Sequence, residues 1–193
     1  INPQEFLRQY GHLFGVADAD SQLFLVSQVQ DVLGSRHTQF QQVLGGIEVF
    51  SGTLKVHQNN QGGVLSANGR FQPIKGGLDL QAHINLELAR DAARMKSSNP
   101  AATLETGKLV IVDPGWYGDP ASGTHLAWYL VLADLSAGYR EAFFIDAHSG
   151  LLLDRWSLAE QAQFRRIHNG NGSAALPGLL ARSEGDPPSG LAQ

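Results

Sequence analysis

Seven histidines are the residues of this 193-residue sequence best suited to chemistry, because imidazole nitrogens bind divalent metals and exchange protons near neutral pH. None belongs to a His-x-His pair or to the helical His-Glu-x-x-His arrangement that holds zinc beside a general base. His83 is followed one helical turn later by Glu87, with which it could form a surface pair. We therefore expect a structural role for each histidine and predict no metal site in this chain. The seven are His12, His37, His57, His83, His125, His148 and His168.

Other residues with catalytic potential also lack the partners that they would need. Asp18 and Asp20 resemble part of a calcium loop, but the further oxygen ligands and the closing glutamate do not follow, which favours a turn with solvated carboxylates. Ser149, in "DAHSG", is not in a Gly-x-Ser-x-Gly motif, and Asp146 is expected to cap that turn rather than act as an acid or base. The glycine-rich segments lack the lysine and helix start of a phosphate loop. Composition and spacing thus predict no catalytic machinery.

The composition disfavours some kinds of binding partner and excludes some kinds of site. A net charge of −4, with the basic residues scattered through the chain, disfavours nucleic-acid binding. The absence of cysteine excludes disulfides and thiolate zinc sites, and no apolar run is long enough for a membrane helix. No signal peptide is visible, so we expect any such segment to lie upstream of Ile1.

The first part of the chain predicts a helix followed by an antiparallel meander. Asn2 as N-cap, Pro3 and a stop at Gly15 predict a helix over residues 3–13. Its apolar residues Phe6, Leu7, Tyr10 and Phe14 are expected to face a core. Alternating apolar residues separated by turn residues then predict four strands, over residues 21–31, 35–44, 47–58 and 63–71.

The order of elements then repeats. A glycine-rich link over residues 73–78 precedes a second predicted helix over 78–96, and four further strands are expected at 107–114, 125–134, 141–150 and 151–157. The fold class that we predict is α+β: two consecutive units, each an antiparallel sheet with one helix packed on a face, plus an extended C-terminal tail. The predicted boundaries are 1–75, 76–157 and 158–193.

The segment "HTQFQQVLGGIEVFSGTLKVHQNNQGGVLSANGRF" resembles the fungalysin/thermolysin propeptide domain. The family pattern combines a His-x-x-x-Gln-Gln-type strand, Gly-x-x-Val-Phe, a strand ending in Val-His, a glycine turn and Ser-x-Asn-Gly. On the residues alone, the adjacent glutamines and the Gly-Gly pair predict a sheet hairpin and not an active site. The matching positions are His37, Phe40, Gln41, Gln42, Gly46, Val49, Phe50, Val56, His57, Gly63, Ser66, Asn68 and Gly69.

Residues 126–150 extend the resemblance. "LAWYLVL" and "FFIDAHSG" are similar to the pattern of the PepSY domain, which follows the propeptide domain in precursors of thermolysin-type metallopeptidases. The matching residues are Trp128, Asp146, Ala147 and Gly150. Residues 165–188 more loosely resemble the region around the junction between propeptide and mature enzyme.

The resemblance implies that this chain is the N-terminal prosegment of a secreted zinc metallopeptidase. The precursor that contains such a prosegment is a zymogen. Such a prosegment is an intramolecular chaperone and a temporary inhibitor of the catalytic domain, which would be its partner and would hold the zinc and calcium. This chain itself would hold no cofactor and would not be an enzyme. An alternative is a free-standing secreted or periplasmic binding or inhibitor module without an attached peptidase.

The resemblance further implies an inhibitory segment within residues 151–166, which would enter the active-site cleft until it is cut. The candidate residues are Arg155, Trp156, Arg165 and Arg166, and the cut could lie anywhere from Trp156 to Gly172. Trp128 and Trp156 have an alternative role as packing residues of the core or of a hairpin, because large aromatic side chains dominate cores.

Overall fold

The computed structural model describes residues 1–74, 76–117 and 123–158, together with the backbone of residues 166–169 and 179–183. Residues 1–158 form one compact unit and residues 159–193 a second. Within the first unit, an eight-stranded mixed sheet carries three α-helices. In the described part of the chain, no helix is long and apolar enough to cross a membrane.

The first helix starts as the sequence predicts and ends earlier. In α1 (Pro3–Tyr10), the side chain of Asn2 accepts a hydrogen bond from the N–H of Glu5 at 2.8 Å. The chain then tightens into a 3₁₀ turn (Gly11–Phe14) that ends at Gly15 with φ +89°. The predicted stop at Gly15 is confirmed, but the α-helix itself does not reach residue 13.

This change of helix type alters which side chains reach the core. Leu7 is 1% exposed, and Phe6 and Phe14 pack against the same cluster as predicted. Tyr10 is 38% exposed, and its ring contacts the ring of Phe6 at a centroid distance of 5.1 Å. The prediction that Tyr10 faces the core is therefore wrong, because the α-helix ends at this residue.

The predicted four-strand meander is confirmed. After a single helical turn, α2 (Ala19–Gln22), the strands are β1 (Leu23–Gln30), β2 (Arg36–Leu44), β3 (Ile47–Gln58) and β4 (Val64–Arg70). Each pairs antiparallel with the next, and one face of this half-sheet packs against α1 through a buried apolar cluster. The buried members of that cluster are Leu7, Val16, Ala19, Leu23, Phe40, Leu54 and Val56.

The second long helix is shorter than predicted. Helix α3 spans Leu86–Lys96, and the side chain of Asn85 caps it by accepting from the N–H of Leu88 at 3.0 Å. Residues 78–85 are not helical, because the N–H groups of His83 and Ile84 donate to the carbonyl of Ala147 instead of to a preceding turn. The prediction of a helix from residue 78 is therefore wrong in its first two turns.

The remaining strands confirm the second meander, and they continue the same sheet. They are β5 (Thr103–Val112), β6 (His125–Asp134), β7 (Tyr139–Asp146) and β8 (Leu152–Ser157), in antiparallel order. Helix α3 lies on them through Ala89 and Ala93, which are fully buried.

The two meanders are joined by a short parallel ladder between β3 and β5, in which Glu48 faces Val110 and Val49 faces Ile111. The predicted α+β class is confirmed, with the two halves sharing one mixed sheet. The division into separate domains at 1–75 and 76–157 stays a prediction.

The second unit contains two strands that the sequence did not predict. Strand β9 (Arg166–Asn169) pairs antiparallel with β10 (Leu179–Ser183). Both are short and lie in a Gly- and Pro-rich stretch without apolar alternation, so the sequence predicted only an extended tail.

Candidate functional site in the motif hairpin and the Asp146 turn

The hairpin of β2 and β3 contains a large bulge beside the two adjacent glutamines. Gln41 is opposite Thr53, but the next paired position, Val43, is opposite Glu48. Four residues of β3, 49–52, therefore lie opposite a single residue of β2, Gln42. Within this bulge Ser51 takes a left-handed φ of +62°. A bulge of this kind bends the strand and leaves backbone groups without ladder partners.

The side chain of Gln41 replaces part of the lost ladder. Its amide Nε2 donates to the carbonyl of Val49 at 2.7 Å and to that of Gly52 at 2.9 Å. Before the bulge β3 pairs with β5, and after it with β4. Gln41 thus stabilises the point at which β3 changes partner and the two meanders join.

Gln42 makes a different connection on the opposite face of β2. Its side chain is 2% exposed and pairs with the backbone of Gln72, donating to the carbonyl at 2.8 Å and accepting from the N–H at 2.7 Å. A Cβ on Gly52 would lie 2.5 Å from Gln42 Oε1, so glycine is required there. The prediction that the two glutamines face opposite sides of a sheet hairpin is confirmed.

The other motif residues of this hairpin support the backbone. Phe40 and Val49 are buried in the core. Gly46 has φ +81° in the turn between β2 and β3. Gly69 has φ +134°, and a Cβ there would clash with the backbone of β3, including the Cα of Leu54 at 2.9 Å.

His37 contacts a second histidine that belongs to the same family pattern. The Nδ1 atoms of His37 and His57 are 2.7 Å apart, and His37 Nε2 is 3.2 Å from an oxygen of Asp31. Burial raises the pKa of Asp31, but the N–H of Ser35 and the contact with His37 lower it more, so the carboxylate form is favoured.

Several motif side chains share the face of the sheet that points away from α1. Cross-strand neighbours lie on the same face of a sheet, and the register defines rows that run from β1 to β4. Two apolar side chains at the β1 end, Phe24 and Val29, are 66% and 58% exposed. We call this surface the motif face; it consists of Phe24, Ser27, Val29, His37, Gln39, Gln41, Thr53, Lys55, His57, Ser66, Asn68 and Arg70.

The motif residues of the second half build the turn between β7 and β8. The Asp146 Oδ1 atom accepts hydrogen bonds from the N–H groups of His148 and Ser149, at 3.0 and 2.7 Å, and from the Ser149 hydroxyl at 2.9 Å. The predicted capping role of Asp146 is confirmed. Ala147 is buried, and Gly150 ends the turn with φ +74°.

The other oxygen of Asp146, Oδ2, is 2.8 Å from His125 Nδ1. Burial raises the pKa of Asp146, but the hydrogen bonds from Ser149, His125 and the N–H of His148 lower it more. The net pKa lies below the ordinary value, so Asp146 is a carboxylate at neutral pH. Its environment is that of a structural cap and not of a proton donor.

Trp128 and Trp156 have the packing role that we considered as an alternative. Trp128 Nε1 donates to the carbonyl of Ile84 at 3.0 Å, and the ring packs beneath α3. Trp156 belongs to an aromatic cluster with Phe144 and Phe50, at centroid distances of 5.0 and 5.9 Å.

Arg155, in β8, donates to the carbonyl of Lys96 and lies 3.8 Å from Glu141. Arg165 lies outside the described residues, and Arg166 begins β9, where only the backbone is described. The structure therefore places three of the four candidate residues in paired strands: Arg155 and Trp156 in β8, and Arg166 opposite Ser183 in the β9–β10 pair.

One grouping of side chains was missed by the sequence analysis. His83 interacts with Asp79, at 3.3 Å, and not with Glu87, and the two are joined by His148 from the β7–β8 turn. Because the segment was predicted as helix, His83 was assigned to a helical surface. No local spacing signal connects it to His148, and only the fold brings the two rings together.

Comparison with known proteins gives a family match for part of the chain. Residues 21–71 match the family model described as Fungalysin/Thermolysin Propeptide Motif. No curated protein matches the chain. Within the described structure, this segment contains β1 to β4 with their bulge and turns.

Three solved structures are similar at low sequence identity. The Bacillus megaterium YpeB C-terminal domain is 13% identical with a TM-score of 0.39, over 81% of this chain and 65% of that one, so this chain spans less than two thirds of that structure. A putative lipoprotein from Clostridium difficile 630 is 13% identical with a TM-score of 0.32, over 79% and 88% of the two chains. A DUF2874 family protein from Bacteroides ovatus is 12% identical with a TM-score of 0.33, over 91% and 99%.

The residues of the β2–β3 hairpin predicted the family that the model match identifies. Residues 21–71, about a quarter of this chain, match the Fungalysin/Thermolysin Propeptide Motif.

Proposed function

We propose that this chain is the prosegment of a secreted thermolysin-type zinc metallopeptidase, and that it assists folding of the catalytic domain and inhibits it until cleavage. The observation that carries the proposal is the propeptide motif at residues 21–71. A propeptide region is the non-catalytic part of a precursor, in agreement with the structural roles of Asp146 and the motif glutamines. Zinc and calcium would then belong to the catalytic domain, and the compartment would be extracellular.

The surface that we propose for binding the catalytic domain is the motif face. It combines exposed apolar side chains at one end, Phe24 and Val29, with polar side chains such as Lys55 and Asn68. An exposed aromatic anchor bordered by polar groups is the usual composition of a binding surface. The opposite face of the same strands packs against α1 through its apolar cluster, and on that face Leu25, opposite Phe40 at the β1 edge, is 50% exposed.

A prosegment that binds the native-like catalytic domain and not its unfolded state lowers the free energy of the folded form, which explains assistance in folding. The same contacts would hold the C-terminal segment of the prosegment near the active site. Arg155 and Trp156 are held in β8 by pairing with β7, so a protease could cut there only after that strand separates. We therefore place the cleavage between Leu158 and the start of β9 at Arg166, because Arg166 is itself paired with Ser183; of the four candidates, Arg165 lies in this interval.

The test is a titration of the purified chain, residues 1–193, into the catalytic domain of a thermolysin-type peptidase at constant zinc and calcium. Hydrolysis of a peptide substrate reports inhibition, and mass spectrometry reports cleavage of the chain. Stoichiometric inhibition that declines as the segment after Leu158 is cut would support the proposal. A folded, intact chain that does not inhibit at micromolar excess would contradict it and favour a free-standing binding module.

The chaperone role needs its own measurement. The denatured catalytic domain is diluted from urea with and without an equimolar amount of the chain, and the recovered peptidase activity is measured after the chain has been digested. A higher yield with the chain than with an equal mass of an unrelated protein would support the role. An equal yield would contradict it.

A further inference from the structure

Asp79, His83 and His148 bring three metal-binding groups together at the junction between the linker and the β7–β8 turn. Asp79 and His83 belong to the irregular segment before α3, and His148 follows the Asp146 cap. One ligand atom from each of the three residues lies within 4.8 Å of the others. The three groups come from two distant parts of the sequence, so only the folded chain assembles them.

The distances are close to those of a zinc site. The Asp79 Oδ2 atom is 3.3 Å from His83 Nε2 and 3.8 Å from His148 Nε2. Ligand atoms about 2.0–2.1 Å from a tetrahedral zinc ion are separated by about 3.3 Å from one another. All three separations lie within 4.8 Å, so a zinc ion at this position requires side-chain rotations that shorten the longer ones toward about 3.3 Å.

The backbone already fixes both histidines. The N–H groups of His83 and Ile84 donate to the carbonyl of Ala147 at 2.9 and 3.1 Å, which places His83 beside the β7–β8 turn. The N–H of His148 is fixed by the Asp146 carboxylate, and the two imidazole rings have centroids 4.6 Å apart. The Oδ1 atom of Asp79 accepts from the N–H of Gln81 at 2.9 Å, which leaves Oδ2 directed at the two rings.

One of these atoms lacks a hydrogen bond in the described structure. His148 Nε2 is buried and has no hydrogen-bond partner among the described residues, since its distance to Asp79 is too long for one. A buried nitrogen without a partner is costly, and coordination to a cation would use its lone pair. This observation favours a cation at the cluster over a simple surface ion pair.

We propose that Asp79, His83 and His148 form a zinc site that connects the linker to the β7–β8 turn of this chain. Two imidazole nitrogens and one carboxylate oxygen are a ligand set that suits Zn²⁺, and a water molecule would complete the tetrahedron. The side chains of Asp79 and His83 are 56% and 59% exposed, so the ion exchanges with solvent. The site is separate from the zinc of a catalytic domain and does not depend on the proposed function.

The test uses the whole chain, freed of metal by chelator, and zinc chloride as the probe. Isothermal titration calorimetry should give one equivalent of bound Zn²⁺, and Co²⁺ should give the intense visible bands of a tetrahedral site. A free zinc concentration about one hundred times Kd should raise the Tm of the chain by about 5 °C or more, because the ion binds the folded chain and not the unfolded one.

Variants identify the ligands. We expect His83→Ala and His148→Ala each to weaken zinc binding at least 10-fold and to abolish the Co²⁺ bands, with an unchanged circular dichroism spectrum. Asp79→Asn should weaken binding to a similar degree. The matched control is His12→Ala, which removes an exposed histidine of the 3₁₀ turn and should leave binding unchanged.

Two results would overturn the proposal. The first is the absence of zinc binding to the folded wild-type chain. The second is zinc binding that persists in the His83→Ala/His148→Ala double variant, since the ion would then be held by other residues. Neither measurement involves a peptidase, so failure of the zinc site and failure of the prosegment function are distinguishable.

Discussion

The buried side chain of Gln42 pairs with the backbone of Gln72 through two hydrogen bonds, as a neighbouring strand would. This pairing fixes the segment that leaves β4 against the last residues of β2. It explains why a glutamine is suited to this position: one side chain must both donate to a carbonyl and accept from an N–H. Neither a carboxylate nor an apolar residue can do both.

Replacing Gln42 by methionine should therefore destabilise the fold by about 2–4 kcal/mol, because the N–H and carbonyl of Gln72 would be buried without partners. The measurement is urea unfolding followed by circular dichroism. Gln39→Met is the matched control, since Gln39 lies on the motif face of the same strand and should change the free energy of unfolding by less than about 0.5 kcal/mol. Equal effects of the two substitutions would refute the role of Gln42.

Two glycines of the family pattern should differ in their tolerance of alanine. Both have positive φ, but a Cβ at Gly46 meets nothing within 4 Å, whereas one at Gly69 meets the backbone of β3. We expect Gly46→Ala to cost about 1 kcal/mol, from φ strain alone, and Gly69→Ala to cost about 3 kcal/mol or more. The comparison of their urea midpoints checks this, and a Gly69→Ala variant as stable as Gly46→Ala would be inconsistent with the observed strand contact.

The Asp146 cap should contribute to stability in a pH-dependent way. Its pKa is lower in the folded chain than in the unfolded one, where it is about 3.9. The contribution is therefore present above about pH 4 and is lost as the pH falls through the folded pKa.

Asp146→Asn should consequently be less stable than wild type at neutral pH, and the difference should shrink as the pH falls below about 4. Urea midpoints measured across this range test the prediction. Glu87→Gln controls for the loss of one exposed carboxylate. A difference between Asp146→Asn and wild type that does not change with pH would show that the charge of Asp146 is unimportant.

The two helix residues Leu7 and Tyr10 test the end of α1. Leu7→Ala should destabilise the fold by about 2–5 kcal/mol, because Leu7 is fully enclosed in the core beneath the helix. Tyr10→Ala should cost about 1 kcal/mol or less, since much of its ring is in solvent. Thermal unfolding of both variants measures the difference, and similar losses would mean that Tyr10 is buried in the core as Leu7 is.

Much of the fold could be predicted from the sequence because its strands alternate apolar and polar residues and its turns contain glycine and asparagine. Strand β3 is predicted at its observed bounds, and the Asx turn at Asp146 follows from residue types alone. The sequence prediction extended helix α3 too far toward its N-terminus, to residue 78 instead of Leu86. The periodicity around Ala82 is helical, but the backbone there bonds to Ala147 across the fold.

The features that were not predicted depend on contacts between distant residues. The bulge at residues 49–52 has no composition signal, since Ser51 takes a conformation that usually favours glycine. The parallel pairing of Val49 with Ile111 depends on that bulge. The grouping of His83 with His148 requires the linker to lie along the β7–β8 turn, which local sequence does not specify.

The most direct test of the prosegment account compares how much two exposed apolar residues of this chain contribute to inhibition of the catalytic domain. Phe24 lies on the motif face and is 66% exposed, and Leu135 lies in the β6–β7 turn and is 81% exposed. The inhibition constant of the full chain against a thermolysin-type catalytic domain is measured for Phe24→Ala and Leu135→Ala. The account predicts that Phe24→Ala raises this constant at least about 10-fold, as loss of a buried aromatic anchor does, while Leu135→Ala leaves it unchanged. Equal constants for both variants and the wild type would contradict binding through the motif face.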